Sequence, residues 1–129
     1  AWGYHSAWTY DHLAWRSLAD GPWYATVPTL AAAALATTTI RLGTFVATPN
    51  FRHPVPFAKE LMSLDDLSGG RFQLGVGAGG GGFDAAVLGE PELTARQRRE
   101  LDDEAALVGA VLEATPTLTV GQVTVGPHA

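Results

Sequence analysis

A strand-like run followed by a helix-like run recurs along this chain at a nearly constant spacing. Ser6-Ala7-Trp8-Thr9-Tyr10 is short, aromatic and bounded by polar residues, which predicts a strand. Ile40 to Val46 and Arg71 to Val76 are further strands by the same criterion. Between them lie two helical patterns. Pro28 to Ala36 is alanine-rich, with Pro28 in a first turn where its missing N–H costs nothing. Val55 to Leu67 places Phe57, Leu61, Leu64 and Leu67 on one face, and Ser68-Gly69-Gly70 stops it. Thirty-four residues separate Trp8 from Leu42, and thirty-two separate Leu42 from Leu74. Strands joined through helices pair in parallel, so the chain is α/β. An open doubly wound sheet alternates in this way too. The uniform period favours a (β/α)8 barrel, whose roughly 250 residues divide into units of about 31.

Composition narrows the function. The 129 residues suffice for one modest domain, and 47% hydrophobic content predicts a packed body. A net charge of −5 argues against nucleic acid or an anionic membrane as partner. With no cysteine there are no disulfides, no thiolate metal sites and no cysteine nucleophile, which suits a cytoplasmic location. The longest apolar run, Val27 to Ala36, is far short of the roughly 20 residues a membrane span requires. Ala1-Trp2-Gly3-Tyr4 carries neither Met nor a basic region, so no signal peptide is expected, and the abrupt start predicts a piece of something longer.

Chemistry in parallel α/β folds sits at the C-terminal ends of the strands. The first strand runs into Asp11-His12-Leu13-Ala14-Trp15. His12 is the best general acid/base in the chain, because only histidine titrates unperturbed near neutrality. Asp11 is placed to orient or charge it, and Trp15 to wall a planar ligand. The plainer alternative has Asp11 capping a turn and His12 on the surface. The second strand ends in Thr44-Phe45-Val46, and Arg52 follows as a clamp for a phosphate or carboxylate, or else as the partner of a surface acid. The histidines His5, His12, His53 and His128 are scattered without metal-ligand spacing, so no metal site is expected.

The third strand ends in Gly75-Val76-Gly77-Ala78-Gly79-Gly80-Gly81-Gly82-Phe83-Asp84. Gly77, Gly79 and Gly82 fit the spacing of a dinucleotide fingerprint. Such a fingerprint must open a long helix, yet Gly89-Glu90-Pro91 leaves at most a turn or two. A slack linker and a backbone-only loop beside a ligand are the other readings. Thr94 is expected to cap a charged helix to about Ala114, with Arg96 to Glu104 as a solvated face. Residues 117–125 alternate at period two around Gly121, a hairpin signal.

Taken together, "SAWTYDHL" and "IRLGTFVATPNFRHPVPFAKELMSLDDLSGGRFQLGVGAGGGGFD" resemble the luciferase-like monooxygenase family. The elements "IRLGT", "RHP", "LDDLSGGRF" and "LGVGAG" stand in the family's order and spacing. The resemblance implies a partial (β/α)8 TIM barrel: residues 1–114 as β/α units carrying about strands two to four, and 115–129 as a hairpin insertion. It implies coenzyme F-420, ahead of FMN, as cofactor, with a small organic molecule as substrate. His12 and Asp11 would be catalytic. Trp15, Thr44, Phe45, Val46, Gly77, Ala78, Gly79 and Gly80 would line the cofactor, and Arg52 would meet substrate or phosphate. The family often has a non-proline cis peptide that maps to Phe45-Val46. Bacterial luciferase has a phosphate-binding arginine where Ala78 stands, and F-420 sugar-phosphate dehydrogenases have a glutamate where Gly80 stands, so neither activity transfers. The competing expectation is a truncated, non-catalytic half-barrel or assembly partner. Either way, open strand edges predict self-association, for instance as a homodimer.

Overall fold

The computed structural model describes residues 3–18, 20–79, 83–100 and 119–122, together with residue 109. Four parallel strands form one sheet in the order β1 (Ser6–Thr9), β2 (Arg41–Thr44), β3 (Phe72–Val76) and β4 (Thr119–Gln122). Each new strand is added beside the last, as in a barrel wall. A doubly wound sheet would reverse its order at a switch point. The α/β expectation holds, and the three strands read from the sequence are β1, β2 and β3.

Helix α1 (Thr26–Ala36) crosses from β1 to β2, and α2 (Pro54–Ser68) crosses from β2 to β3. Thr26 starts α1 two residues earlier than predicted and donates its hydroxyl to the Tyr10 carbonyl at 2.7 Å, tying the helix to the end of β1. His53 caps α2 by accepting the Val55 N–H at 3.3 Å. Gly69 ends it at φ 65°, a left-handed conformation that glycine adopts without steric cost.

The core lies between the helices and one face of the sheet. It contains Leu30 and Ala34 of α1, Phe57, Ala58, Leu61 and Leu64 of α2, and Leu42, Phe72 and Leu74 of the strands. The predicted stripe on α2 needs one correction: Leu67 is 50% exposed, and Ser68 is buried in its place. Three turns of 3.6 residues beyond Phe57 fall nearest to position 68. The Ser68 hydroxyl accepts from the N–H groups of Arg71 and Phe72, both at 3.1 Å.

Arg71 fastens the two units together. Its guanidinium donates to the carbonyls of Ala34, Thr37, Ile40 and Ser68 and to the Thr37 hydroxyl, at 2.7–3.0 Å. These include the otherwise unpaired carbonyls at the C-terminal end of α1, where a cation is favoured.

The hairpin predicted around Gly121 is not a turn there: Gly121 lies inside β4, paired with Gly75 of β3. Alternation at period two reports a strand but not its partner. The rest of 115–129 lies outside the described residues. Helix α3 is Phe83–Leu88 and α4 is Ala95–Glu100; the predicted continuation of α4 to Ala114 lies outside the described residues apart from 109. The exposed Arg96–Glu100 pair at 2.8 Å fits the solvated face expected of α4. No helix among the described residues is long and apolar enough to cross a membrane.

Leu61, fully enclosed, is the sharpest test of this core. Leu61→Ala is expected to cost about 2–5 kcal/mol in urea unfolding, and exposed Leu35→Ala less than about 0.5 kcal/mol.

Candidate active site at the strand ends

The C-terminal ends of β1, β2 and β3 meet at one edge and are linked by polar contacts. Asp11 follows β1 and is 5% exposed. Its carboxylate accepts from the Thr48 N–H at 2.8 Å and from Arg52 Nη2 at 2.7 and 2.8 Å. The guanidinium lies 4.3 Å over the Phe57 ring. Arg52 is therefore committed to a carboxylate of its own chain rather than held open for a ligand. Asp11, in turn, does not orient His12. This pair fixes the loop after β2 to the end of β1.

The acid at His12 is Asp84, which sequence reasoning missed. Asp84 Oδ2 lies 2.7 Å from His12 Nδ1, and Oδ1 accepts the Leu13 N–H at 2.9 Å. Asp84 is 3% exposed and stands in the first turn of α3, beyond the glycine run. The Trp23 indole donates to the His12 carbonyl at 2.8 Å. Trp15 lies 4.8 Å from the His12 ring and stacks on Tyr10 and Trp23 at 6.5 and 6.1 Å. Among the described residues His12 Nε2 has no partner. Its ring is half-buried, not a free surface group.

After β2 the peptide Phe45-Val46 is cis, as the family resemblance implied. The chain then rejoins the sheet: Ala47 bridges to Val76, donating to the Gly75 carbonyl at 2.7 Å and accepting from the Gly77 N–H at 3.0 Å. Phe45 is exposed and Val46 is half-buried. Thr44 is sealed from the site: fully buried, its hydroxyl donates to the Gly75 carbonyl and accepts the Gly75 N–H, locking β2 to β3.

The loop after β3 begins Gly77-Ala78-Gly79; Gly80 lies outside the described residues. Asn50 Nδ2 donates to the Ala78 carbonyl at 3.2 Å, while Asn50 Oδ1 is buried with no partner. Gly79 has φ 80°, and a Cβ there would lie 2.8 Å from Thr48 Cγ2. A glycine is thus required for the loop to lie against Thr48. Helix α3 has six residues and ends at Gly89, too short for the helix that a dinucleotide fingerprint opens.

A family model described as luciferase-like monooxygenase matches residues 1–117, and the chain belongs to that family. It is similar to a 4-hydroxyprotoasukamycin monooxygenase of Streptomyces nodosus subsp. asukaensis, 38% identical over 76% of this chain and 26% of the relative. It is similar too to an F420-dependent glucose-6-phosphate dehydrogenase of Beutenbergia cavernae, 37% identical over 92% of this chain and 35% of the relative. Among solved structures, the monooxygenase RslO1 of Streptomyces bottropensis superposes with a TM-score of 0.69 at 29% identity, over 82% of this chain and 31% of that one. The chain therefore spans about a quarter to a third of the length of the curated relatives it matches.

Arg52→Met leaves the buried Asp11 carboxylate without its cation. A loss of about 3 kcal/mol in urea unfolding is expected, most of it recovered in the double variant Asp11→Asn/Arg52→Met, which removes both charges.

Proposed function

We propose that this chain supplies the strand-end part of an oxidoreductase or monooxygenase that uses coenzyme F-420 or FMN. The observation that carries the reading is His12. It is half-buried, held by Asp84, with Nε2 unpartnered among the described residues, at the same edge as the cis peptide and the glycine loop. A general acid/base needs this combination of access and fixed orientation.

The residues present fit a flavin-type ring. Asn50 Oδ1 is a buried acceptor that lacks a donor, and a ring N–H is the kind of donor it needs. The loop Gly77-Ala78-Gly79 offers backbone without bulky side chains. Phe45, Val46 and Trp15 offer apolar surface for a planar group. When bound, such a cofactor supplies hydride or oxygen chemistry at its ring. The chain's own part is to hold the ring, exclude water with Trp15 and Phe45, and move a proton at His12.

Coenzyme F-420 is the preferred cofactor, supported by the dehydrogenase relative named above. That relative's sugar-phosphate substrate is not carried over, since Gly80 stands where such dehydrogenases have a glutamate. Nor is the phosphate contact of bacterial luciferase, since Ala78 stands where its arginine is. A small organic molecule is the substrate class. We place the enzyme in the cytoplasm, where a chain without cysteine loses nothing. We propose that the chain self-associates through open strand edges, for instance as a homodimer.

Absorbance titration of the full-length protein with F-420 and with FMN tests the reading. Saturable binding of at least one is expected; binding of neither is the result that a non-catalytic half-barrel requires. In an enzyme that turns over, His12→Asn is expected to lower kcat about a hundredfold or more. Light scattering on the eluting protein is expected to give a mass above that of one chain.

A further inference from the structure

We propose that Asp84 is the positioning residue of the site: it holds a proton on Nδ1 of His12 and so makes Nε2 the nitrogen that exchanges a proton with substrate. The inference rests on the oxidoreductase reading for the reaction, but its geometry stands on the contacts alone.

An ionised carboxylate can only accept hydrogen bonds. A 2.7 Å contact between Asp84 Oδ2 and His12 Nδ1 therefore requires the proton to sit on Nδ1, whether the ring is neutral or charged. In the neutral ring this leaves the lone pair on Nε2, so the tautomer is chosen by the partner. The partner is itself fixed. The second oxygen of Asp84 takes the Leu13 N–H at 2.9 Å, so the carboxylate cannot rotate without losing a bond at the residue next to His12. The backbone of His12 is held by the Trp23 indole at 2.8 Å, and the ring lies against Trp15. Ring position, ring rotation and proton position are thus each set by a different neighbour.

The consequence is chemical. When Nε2 takes a proton, the electron pair of the broken bond stays on the substrate. The imidazolium then carries its second proton on Nδ1, facing the buried Asp84 carboxylate. Asp84 stabilises that cation without touching substrate. Asp11, the acid next in sequence, is occupied by Arg52 and Thr48 and takes no part.

The Asp84 contact also ties the first turn of α3 to the end of β1, while Asn50 holds the loop after β3 at Ala78.

Nitrogen NMR of the His12 ring, on isotope-labelled protein in alkaline buffer where imidazole is neutral, reads the tautomer directly. The native chain is expected to show a protonated Nδ1 and an unprotonated Nε2. Asp84→Asn, close in shape and able to keep the Leu13 bond, presents an amide donor and is expected to shift the ring toward the opposite tautomer. A native ring with its proton on Nε2, or a tautomer unchanged in Asp84→Asn, overturns the proposal. If the variant does not fold, the native measurement alone decides. The signals are read without turnover, so failure of the cofactor titration counts against the oxidoreductase reading and failure here against the role of Asp84.

Discussion

Parallel pairing of successive strands is the constraint from which the rest of this structure follows. Because β1, β2 and β3 point the same way, every crossover must travel back over the sheet as a helix. That puts α1 and α2 on one face, where their apolar stripes close the core. It also brings three strand ends to one edge, although they lie some 30 residues apart in sequence. The site is a by-product of that arrangement. Asp11, Thr48 and Arg52 come from the first two units, and Asp84 and Ala78 from the third, yet all are within hydrogen-bond reach of a partner across the edge.

Two buried carboxylates at this edge do different work because of what lies beside them. Asp11 faces a guanidinium and a backbone N–H, and is spent on joining loops. A buried ion pair of this kind contributes definition of geometry more than net stability. Asp84 faces an imidazole and a different backbone N–H, and controls a group that can exchange protons. Sequence proximity favours Asp11 as the partner of His12, and tertiary structure reverses the assignment. The residue seventy-two positions away is the one in contact.

The helices and strands were legible because periodicity reports burial. Phe57, Leu61 and Leu64 line up as read, and the stripe strays only at its last turn, where 3.6-residue geometry selects Ser68 over Leu67. Gly121 shows the limit of the same reasoning. A run that alternates at period two is a strand, but whether it turns back on itself or joins a distant neighbour is not written in the alternation. Arg71 shows another limit. As one basic residue at the start of a strand it carries no signal, yet it holds the ends of two crossovers. Thr44 was read as a ligand contact from its place at a strand end, but it points into the sheet and bonds to Gly75.

By itself the sequence determined the α/β class, the strand–helix order, the family resemblance that implied the cis peptide, and the candidacy of His12. Those properties reside in local pattern and in short motifs, which survive without knowledge of what packs against them. Tertiary structure decided which acid meets His12, what occupies Arg52, and where the strand around Gly121 pairs. Those are pairings between residues far apart in the chain, and hydrogen bonds of 2.7–2.9 Å are set by how the units dock, not by spacing along the sequence.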